Sequence, residues 1–356
     1  MAKGSMMKKL AALGVAAGIF CCQAAAVSAD SEYANNDKLY SRDGDESIYI
    51  SEDQFLYNFK GQNPGVTICG YVGDSQELNI PSLINGRDVS EIAEGTFTGD
   101  ERIVSVSFPL NVKIIGEKCF NGCPNLKSIT LSNGIYQFSN VFCDCPQLES
   151  VYFPAGVGTI LGSFKRCTAL KYVKFARSVT RIDNDSFRGC SSLNQIDWLG
   201  GIIKLNNAFD ECTSLESVSI PNGVVQIDGA FDGCTALKEI ALPDTLLYIT
   251  GGFSNCTALT QVTLPGKLLF VNNAFNNCEN LSKIKSGEST QISQTAFVGC
   301  PKIVIESDNN VILPLLGWLA LIFIMAATGF FVFRALTAMA QNFARENKQL
   351  KKSVRN

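Results

Sequence analysis

The chain has 356 residues with a net charge of −3, fourteen cysteines and no histidine. The missing histidine excludes Ser-His-Asp and Cys-His nucleophile systems, HExxH zinc sites and any imidazole general base. The nearly neutral charge gives no footprint of nucleic-acid binding.

The first 29 residues have the pattern of a secretory signal peptide. Three lysines and an apolar run, residues 10–22, precede small residues that end at Ala29, after which we expect cleavage. A lipoprotein signal is the alternative, because Cys21 and Cys22 follow the apolar run. Phe20, however, occupies a position where that signal requires a small residue.

The C-terminal region predicts a membrane anchor. Residues 311–333 contain no charged side chain, and a helix of this length, about 34 Å, crosses a hydrocarbon core of about 30 Å. Residues 334–356 are basic, so the positive-inside rule places this tail in the cytoplasm and residues 30–310 outside the cell. We therefore expect a single-pass, type I protein of the plasma membrane.

Between these ends, one unit of 22 or 23 residues is repeated about ten times. Each unit begins with a phenylalanine: Phe97, Phe120, Phe142, Phe164, Phe187, Phe209, Phe231, Phe253, Phe275 and Phe297. Three residues later, nine units carry a cysteine: Cys123, Cys145, Cys167, Cys190, Cys212, Cys234, Cys256, Cys278 and Cys300. The unit reads F-x-x-C-x-x-L-x-x-[IV]-x-[apolar]-P-x-x-V-x-x-I.

The alternation of apolar and polar residues after the leucine predicts a short strand with one buried face. A unit of this length has no room for a long crossover helix. Each unit must therefore be one turn of a coil, with short parallel strands stacked about 4.8 Å apart.

These repeated F-x-x-C-x-x-L-x-x-[IV] frames, from Phe97 to Ile303, resemble the leucine-rich repeats of the BspA-like surface proteins. The preceding segment, residues 66–97, is also similar to the start of that family's solenoid. The resemblance implies a mainly β, right-handed leucine-rich repeat solenoid, secreted or anchored at the cell surface, with roles in adhesion and in binding host or matrix proteins. We expect a polar arm over residues 30–60, a capping segment over 61–96 and the repeats over 97–310.

The nine cysteines of the repeat have three interpretations. The first, which we favour, is a structural ladder of reduced thiols that act as small buried hydrophobes. A disulfide framework is the second, since stacked turns bring Cα atoms within disulfide range, and Cys69, Cys119 and Cys143 outside the column are then the best candidates. A metal stack is the third, but Cys143-x-Cys145 is one residue short of the zinc-ligand spacing.

No catalytic constellation, metal site or cofactor motif is predicted. Residues 156–162 are glycine-rich, but the repeat itself explains their spacing. Asp183-Asn184-Asp185 lacks the rest of a calcium loop and is read as a solvated turn.

One group of outward-facing strand residues stands out on three adjacent turns: Tyr152, Tyr172, Lys174, Gln195 and Asp197. Exposed tyrosines beside mixed charges are typical of a binding hot spot. The alternative is that aromatic residues favour strands and the group has no ligand.

The sequence thus predicts a non-enzymatic cell-surface module for adhesion or recognition, with an unknown extracellular protein or glycan as partner. Alternatives are a structural envelope component without a specific ligand and a non-enzymatic surface receptor. Oligomerisation through the anchor and a tail helix is a further expectation. Asn184, Asn255 and Asn280 begin N-x-S/T acceptors, which matter only in a host that glycosylates them.

Overall fold

The computed structural model describes residues 38–40, 48–59, 65–136, 139–183, 185–287, 290–307 and 310–312, with the side chains of all except 38–40, 307 and 310–312. The predicted signal peptide, residues 313–333 of the predicted membrane span and the basic tail lie outside this set. Within it, no helix is long and apolar enough to cross a membrane. Val311 and Ile312, which the sequence assigns to the start of the span, lie instead in a β-strand.

The N-terminal end is closed by a mixed sheet. Its strands, in the order in which they pair, are β1 (Lys38–Tyr40), β2 (Ile48–Ile50), β3 (Phe55–Asn58), β4 (Val66–Tyr71), β7 (Arg87–Ile92) and β6 (Leu83–Ile84). Pairing is antiparallel from β1 to β4 and parallel between β4 and β7. The predicted polar arm over residues 30–60 therefore includes strands of this cap. In β3, for example, Phe55 and Tyr57 are buried and alternate with less buried residues, as in a strand with one face in the core.

The rest of the described chain is a mainly β, right-handed solenoid of about eleven turns. One strand per turn builds its first face: β5 (Glu77–Asn79), β8 (Ser105–Ser107), β10 (Ser128–Thr130), β11 (Ser150–Tyr152), β13 (Tyr172–Phe175), β15 (Gln195–Trp198), β17 (Ser217–Ser219), β19 (Glu239–Ala241), β21 (Gln261–Thr263), β23 (Lys283–Ser286) and β25 (Val304–Ser307). These strands are parallel and hydrogen-bonded in four groups. An antiparallel strand, β26 (Asn310–Ile312), covers β25 at the C-terminal end.

Most turns also carry a second strand, which the sequence did not predict. The strands of this second face are β9 (Ile114–Ile115), β12 (Thr159–Leu161), β14 (Arg181–Asp183), β16 (Lys204–Asn206), β18 (Gln226–Asp228), β20 (Tyr248–Thr250), β22 (Phe270–Asn272) and β24 (Gln291–Ile292). From β12 to β24 they form one parallel sheet. Most are only three residues long around one buried apolar residue, too short to give an alternating pattern.

The repeated phenylalanines stack on one another through the whole array. Neighbouring ring centroids are 4.9–5.6 Å apart and the ring planes differ by 4–19°. Offset stacking of this kind contributes about 0.5–1.5 kcal/mol per pair beyond the burial of apolar area. The column thus joins each turn to the next in the centre of the core.

Each thiol of the cysteine column joins two turns as well. It donates a hydrogen bond to the carbonyl oxygen of the phenylalanine one turn earlier, with Sγ···O distances of 2.9–3.4 Å. The Phe164 carbonyl, for example, accepts both the Cys190 thiol and the Cys167 backbone N–H. The cysteine therefore satisfies a buried carbonyl that an alanine at the same place would leave with one bond fewer.

Burial raises the pKa of the Cys256 thiol to about 12 and raises the pKa of Cys190 and Cys212 as well. The reactive thiolate is therefore disfavoured along the column. Cys300, in the last cysteine-bearing turn, differs: a hydrogen bond with Cys278 lowers its pKa.

The stack predicts a large loss of stability on truncation of a central ring. Phe209 lies between Phe187 and Phe231 and meets the edge of Trp198. We expect Phe209→Ala to lower the free energy of unfolding in urea by about 3–5 kcal/mol, because the cavity cannot collapse within a rigid column. The exposed Tyr136→Ala is the control, with a change within about 0.5 kcal/mol. A loss below 1 kcal/mol for Phe209→Ala would contradict the role of the stack.

The thiol ladder predicts cysteines that are reduced yet slow to react. In native protein at pH 7 we expect the partly exposed Cys69 to be alkylated first and the buried column thiols only after denaturation. Mass spectrometry after alkylation under denaturing, non-reducing conditions then finds the column thiols modified. Four or more disulfides in that experiment would refute the ladder.

Candidate binding surface

The five residues singled out in the sequence lie together on the first face. β11, β13 and β15 pair in parallel, and their register aligns Tyr172 with Gln195 and Tyr152 with Lys174, which in turn aligns with Asp197. Each of the five flanks a strand residue that points into the core, so its own side chain points outward. We refer to these five residues as the tyrosine surface.

Contacts within the tyrosine surface hold its rings in place. The Tyr172 hydroxyl donates a hydrogen bond of 2.5 Å to Asp197 Oδ2, and Gln195 Nε2 donates to Asp197 Oδ1 at 3.4 Å. The Tyr152 and Tyr172 ring centroids are 5.5 Å apart at an angle of 58°. Tyr152 remains 56% exposed. The exposed ring is therefore buttressed by one whose own hydroxyl is fixed, an arrangement that reduces the entropy lost on binding.

Hydrogen bonding also sets the charge states on the tyrosine surface. The bond from Tyr172 lowers the pKa of Asp197, and the same bond raises the pKa of Tyr172 to about 12. At neutral pH the carboxylate is ionised, the phenol is protonated and Lys174 balances the charge. This surface offers an aromatic face, acceptors and donors, which suit binding; it presents no activated nucleophile.

The other acidic candidates are occupied by protein contacts. Asp183 is buried, forms an ion pair with Arg181 and accepts from Asn206 Nδ2 at 2.5 Å. Asp185 accepts from Lys165 Nζ at 2.7 Å. Asn184 lies outside the described residues. Over the part of the chain that the structure describes, no group of three or more cysteines and acids is placed to hold a metal ion.

The glycine-rich segment also has a structural explanation. A Cβ at Gly156 would come within 2.4 Å of the Asn133 carbonyl oxygen of the preceding turn. Ile160 lies buried in β12. Close approach of neighbouring turns therefore accounts for glycine here, as the sequence suggests.

Of the glycosylation acceptors, Asn255 and Asn280 are described and both are exposed. Asn255 Oδ1 accepts from Asn277 Nδ2 at 3.1 Å, and Asn280 Nδ2 donates to the Thr257 carbonyl at 2.8 Å. Both amides thus take part in contacts between turns.

Two aspartates form a polar ladder beside the phenylalanine stack that sequence reasoning did not identify. Asp210 Oδ1 accepts the Asp232 backbone N–H at 3.2 Å, and Asp232 Oδ1 accepts the Gly252 and Ser254 N–H groups at 3.0 and 2.8 Å. Burial, followed by repulsion from Asp232, raises the pKa of Asp210 to about 7, although Arg188 acts in the opposite direction. Burial raises the pKa of Asp232 as well.

A row of apolar side chains on the second face, three of them exposed and one half-buried, was also missed. It consists of Ile203, Val225, Leu247 and Leu269, one on each of four successive turns, and is called the apolar stripe below. Each precedes the buried residue of a second-face strand by two positions. Strand alternation alone would place this position on the same face as the buried residue, so the repeat pattern gives no signal that it faces outward.

Comparison with known proteins finds one matching family model and several similar solved structures. The family model for the BspA-type leucine-rich repeat region matches residues 75–194 and 203–312 in six copies, which is more than half of the chain. No curated protein matches.

Several solved structures are similar. A leucine-rich repeat protein from Bacteroides ovatus is 23% identical with a TM-score of 0.55, covering 71% of this chain and 80% of its own. A leucine-rich repeat protein of T. pallidum is 29% identical with a TM-score of 0.45, covering 58% of this chain and 89% of its own. A leucine-rich cell surface protein from Faecalibacterium prausnitzii is 22% identical with a TM-score of 0.32, covering 76% and 95%.

The aspartate ladder predicts a stability that falls as the pH rises from about 4 to about 7. Because the folded-state pKa of Asp210 lies above its unfolded value of about 3.8, the stability linked to this group is present below pH 4 and is lost as pH rises through about 7. Asp210→Asn keeps the acceptor, as Asn121 does at the same place in its own turn, where it accepts the Cys143 N–H. We expect the variant to be about 1–2 kcal/mol more stable than wild type at pH 8 and no more stable at pH 4, in urea titrations at both values. Equal gains at both values would show that ionisation is not the cause.

Proposed function

The chain belongs to the BspA-type leucine-rich repeat family, and we propose that it is a membrane-anchored cell-surface module that recognises an extracellular protein or glycan through the tyrosine surface. The solenoid lies outside the cell, one C-terminal helix crosses the plasma membrane and the basic tail is cytoplasmic. The protein carries out no chemistry of its own.

The fixed arrangement of the side chains in the tyrosine surface is the observation that supports this proposal. On most turns of the first face the outward residues are small or polar, as at Ser105, Ser128 and Ser217. Among the first-face strands that the structure describes, only β11, β13 and β15 bring two tyrosines, an amide and a balanced pair of charges together. A surface fixed by the bond between Tyr172 and Asp197 needs little rearrangement to bind.

Its chemistry favours recognition over catalysis. The Asp197 carboxylate is held ionised and the Tyr172 phenol protonated, so neither acts as a proton donor or acceptor near neutral pH. The family is one of repeat proteins, which agrees with a binding role. The signal pattern over residues 1–29 and the uncharged run of the predicted anchor support the surface location.

A binding screen against matrix proteins, mucins and polysaccharides tests the proposal. We expect Tyr152→Ala combined with Tyr172→Ala to weaken binding of the ligand found by at least tenfold, because aromatic anchors contribute about 2 kcal/mol or more each at hot spots. Tyr136→Ala is a matched control, since Tyr136 is 58% exposed but lies on an earlier turn outside the tyrosine surface. If the double variant binds as tightly as wild type while folding normally, recognition uses another surface.

A further inference from the structure

One turn of the solenoid is strongly basic, unlike all the others. Counted from one column phenylalanine to the residue before the next, the turn of residues 164–186 carries six basic and two acidic side chains, a net charge of +4. The other turns between residues 97 and 296 have net charges from −4 to +1. The basic turn contains β13, the middle strand of the tyrosine surface. Positive charge is therefore concentrated where the proposed recognition surface lies.

Half of these bases remain available to a ligand. Three of the six are held in ion pairs by acids of the same or the preceding turn: Lys165 with Asp185, Arg166 with Asp144 and Arg181 with Asp183. Over the part of the chain that the structure describes, Lys171, Lys174 and Arg177 form no such pair. Lys171 directly precedes β13, Arg177 follows it by two residues, and both are exposed. A base thus lies at each end of the strand that carries Tyr172.

The acids near these three bases leave an excess of positive charge. Asp197 aligns with Lys174, and its two oxygens already accept hydrogen bonds within the tyrosine surface. Glu149 lies beside Lys171, one turn earlier, where its carbonyl oxygen accepts the Lys171 backbone N–H. At the position of Arg177 the two neighbouring turns have alanine and glycine. The surface therefore attracts an anionic group, most directly at the Arg177 end of β13.

We propose that the ligand of the tyrosine surface is a negatively charged oligosaccharide, with sugar rings against Tyr152 and Tyr172 and carboxylate or sulfate groups against Lys171 and Arg177. This inference rests on the recognition function proposed above and names its ligand class. The C–H groups on one face of a sugar ring pack against an aromatic ring, while ammonium and guanidinium groups form charge-assisted hydrogen bonds with anionic oxygens.

The surroundings of the tyrosine surface favour a sugar over a peptide. β13 is hydrogen-bonded to β11 on one side and to β15 on the other, so it has no open edge at which a peptide strand could pair. The outward residues next to the two tyrosines on β10 and β11 are Ser128, Thr130 and Ser150. Their hydroxyl groups both donate and accept, as the hydroxyl groups of a sugar do.

Acidic turns on both sides limit the charge that the ligand can carry. Residues 142–163 contain two acids and no base, and residues 209–230 contain four acids and no base. A nucleic acid, or another polymer with a charge on every unit, would extend over these turns and be repelled. The charge pattern therefore fits an oligosaccharide whose acidic groups lie within about one turn of the array.

Titration calorimetry with the full chain in detergent tests the ligand class. The probes are 3′-sialyllactose, lactose 3′-sulfate and a hyaluronan hexasaccharide, with lactose and a chitin hexasaccharide as neutral counterparts. We expect an acidic saccharide to bind about tenfold or more tightly than its neutral counterpart, and to bind more weakly as salt screens the exposed charges. No binding by any of the acidic probes, or equal binding by the neutral ones, would overturn the proposal.

Paired charge variants locate the contact. We expect Lys171→Gln with Arg177→Gln to weaken binding of the acidic saccharide about tenfold or more, because both charge-assisted contacts are lost. Lys238→Gln with Lys267→Gln is the control, since it changes the net charge equally. Lys238 occupies the position of Lys171 three turns later, and Lys267 is an exposed corner residue. An equal loss in the two pairs would show that overall charge attracts the ligand and would refute this site.

The tyrosine variants separate this inference from the recognition function on which it rests. Each variant is first checked for the wild-type midpoint of unfolding in urea. Tyr152→Ala with Tyr172→Ala should also weaken binding of the acidic saccharide, and binding that survives this change contradicts the proposal. A protein or neutral glycan may bind instead: if its binding is lost in the tyrosine variant but not in the Lys171 and Arg177 variant, the acidic ligand is refuted and the recognition function stands.

Discussion

Stacking of one phenylalanine ring on the next is the interaction on which the rest of the structure depends. The spacing of neighbouring rings, 4.9–5.6 Å, is close to the separation of about 4.8 Å between hydrogen-bonded strands. Rings and strands therefore stack in the same register, and the thiol column satisfies the phenylalanine carbonyls between them. No single turn could bury its own ring, so the fold exists only as an array.

A uniform interior leaves the outside free to vary from turn to turn. The tyrosine surface, the aspartate ladder and the apolar stripe each arise from the residues at one or two repeat positions on a few successive turns. The register that aligns Tyr152, Lys174 and Asp197 on the first face is the one that aligns Val225 and Leu247 on the second. Interaction surfaces on this frame are rows along the array, with components set one strand spacing apart.

The sequence predicted the repeated columns and the first-face strands, and it missed the strands of the cap and of the second face. The columns headed by Phe97 and Cys123 recur often enough to define the turns and the first-face strands. The strand pair β2 and β3 was missed because it occurs once, in a polar region, and β5 adds a turn before the first phenylalanine. The second-face strands were missed because a three-residue strand around Ile227 gives no alternation. The tyrosine surface could be predicted since strand periodicity fixes which residues point outward, whereas the bond between Tyr172 and Asp197 depends on side-chain geometry that periodicity does not give.

Hydrogen exchange followed by mass spectrometry measures most directly whether the stack couples the turns. In Phe209→Ala we expect faster exchange in the turn of residue 209 and in the neighbouring strands β13, β15, β17 and β19, with protection restored towards both ends of the array. Faster exchange confined to the single turn of Phe209 would contradict the claim that stacked phenylalanines hold the turns together.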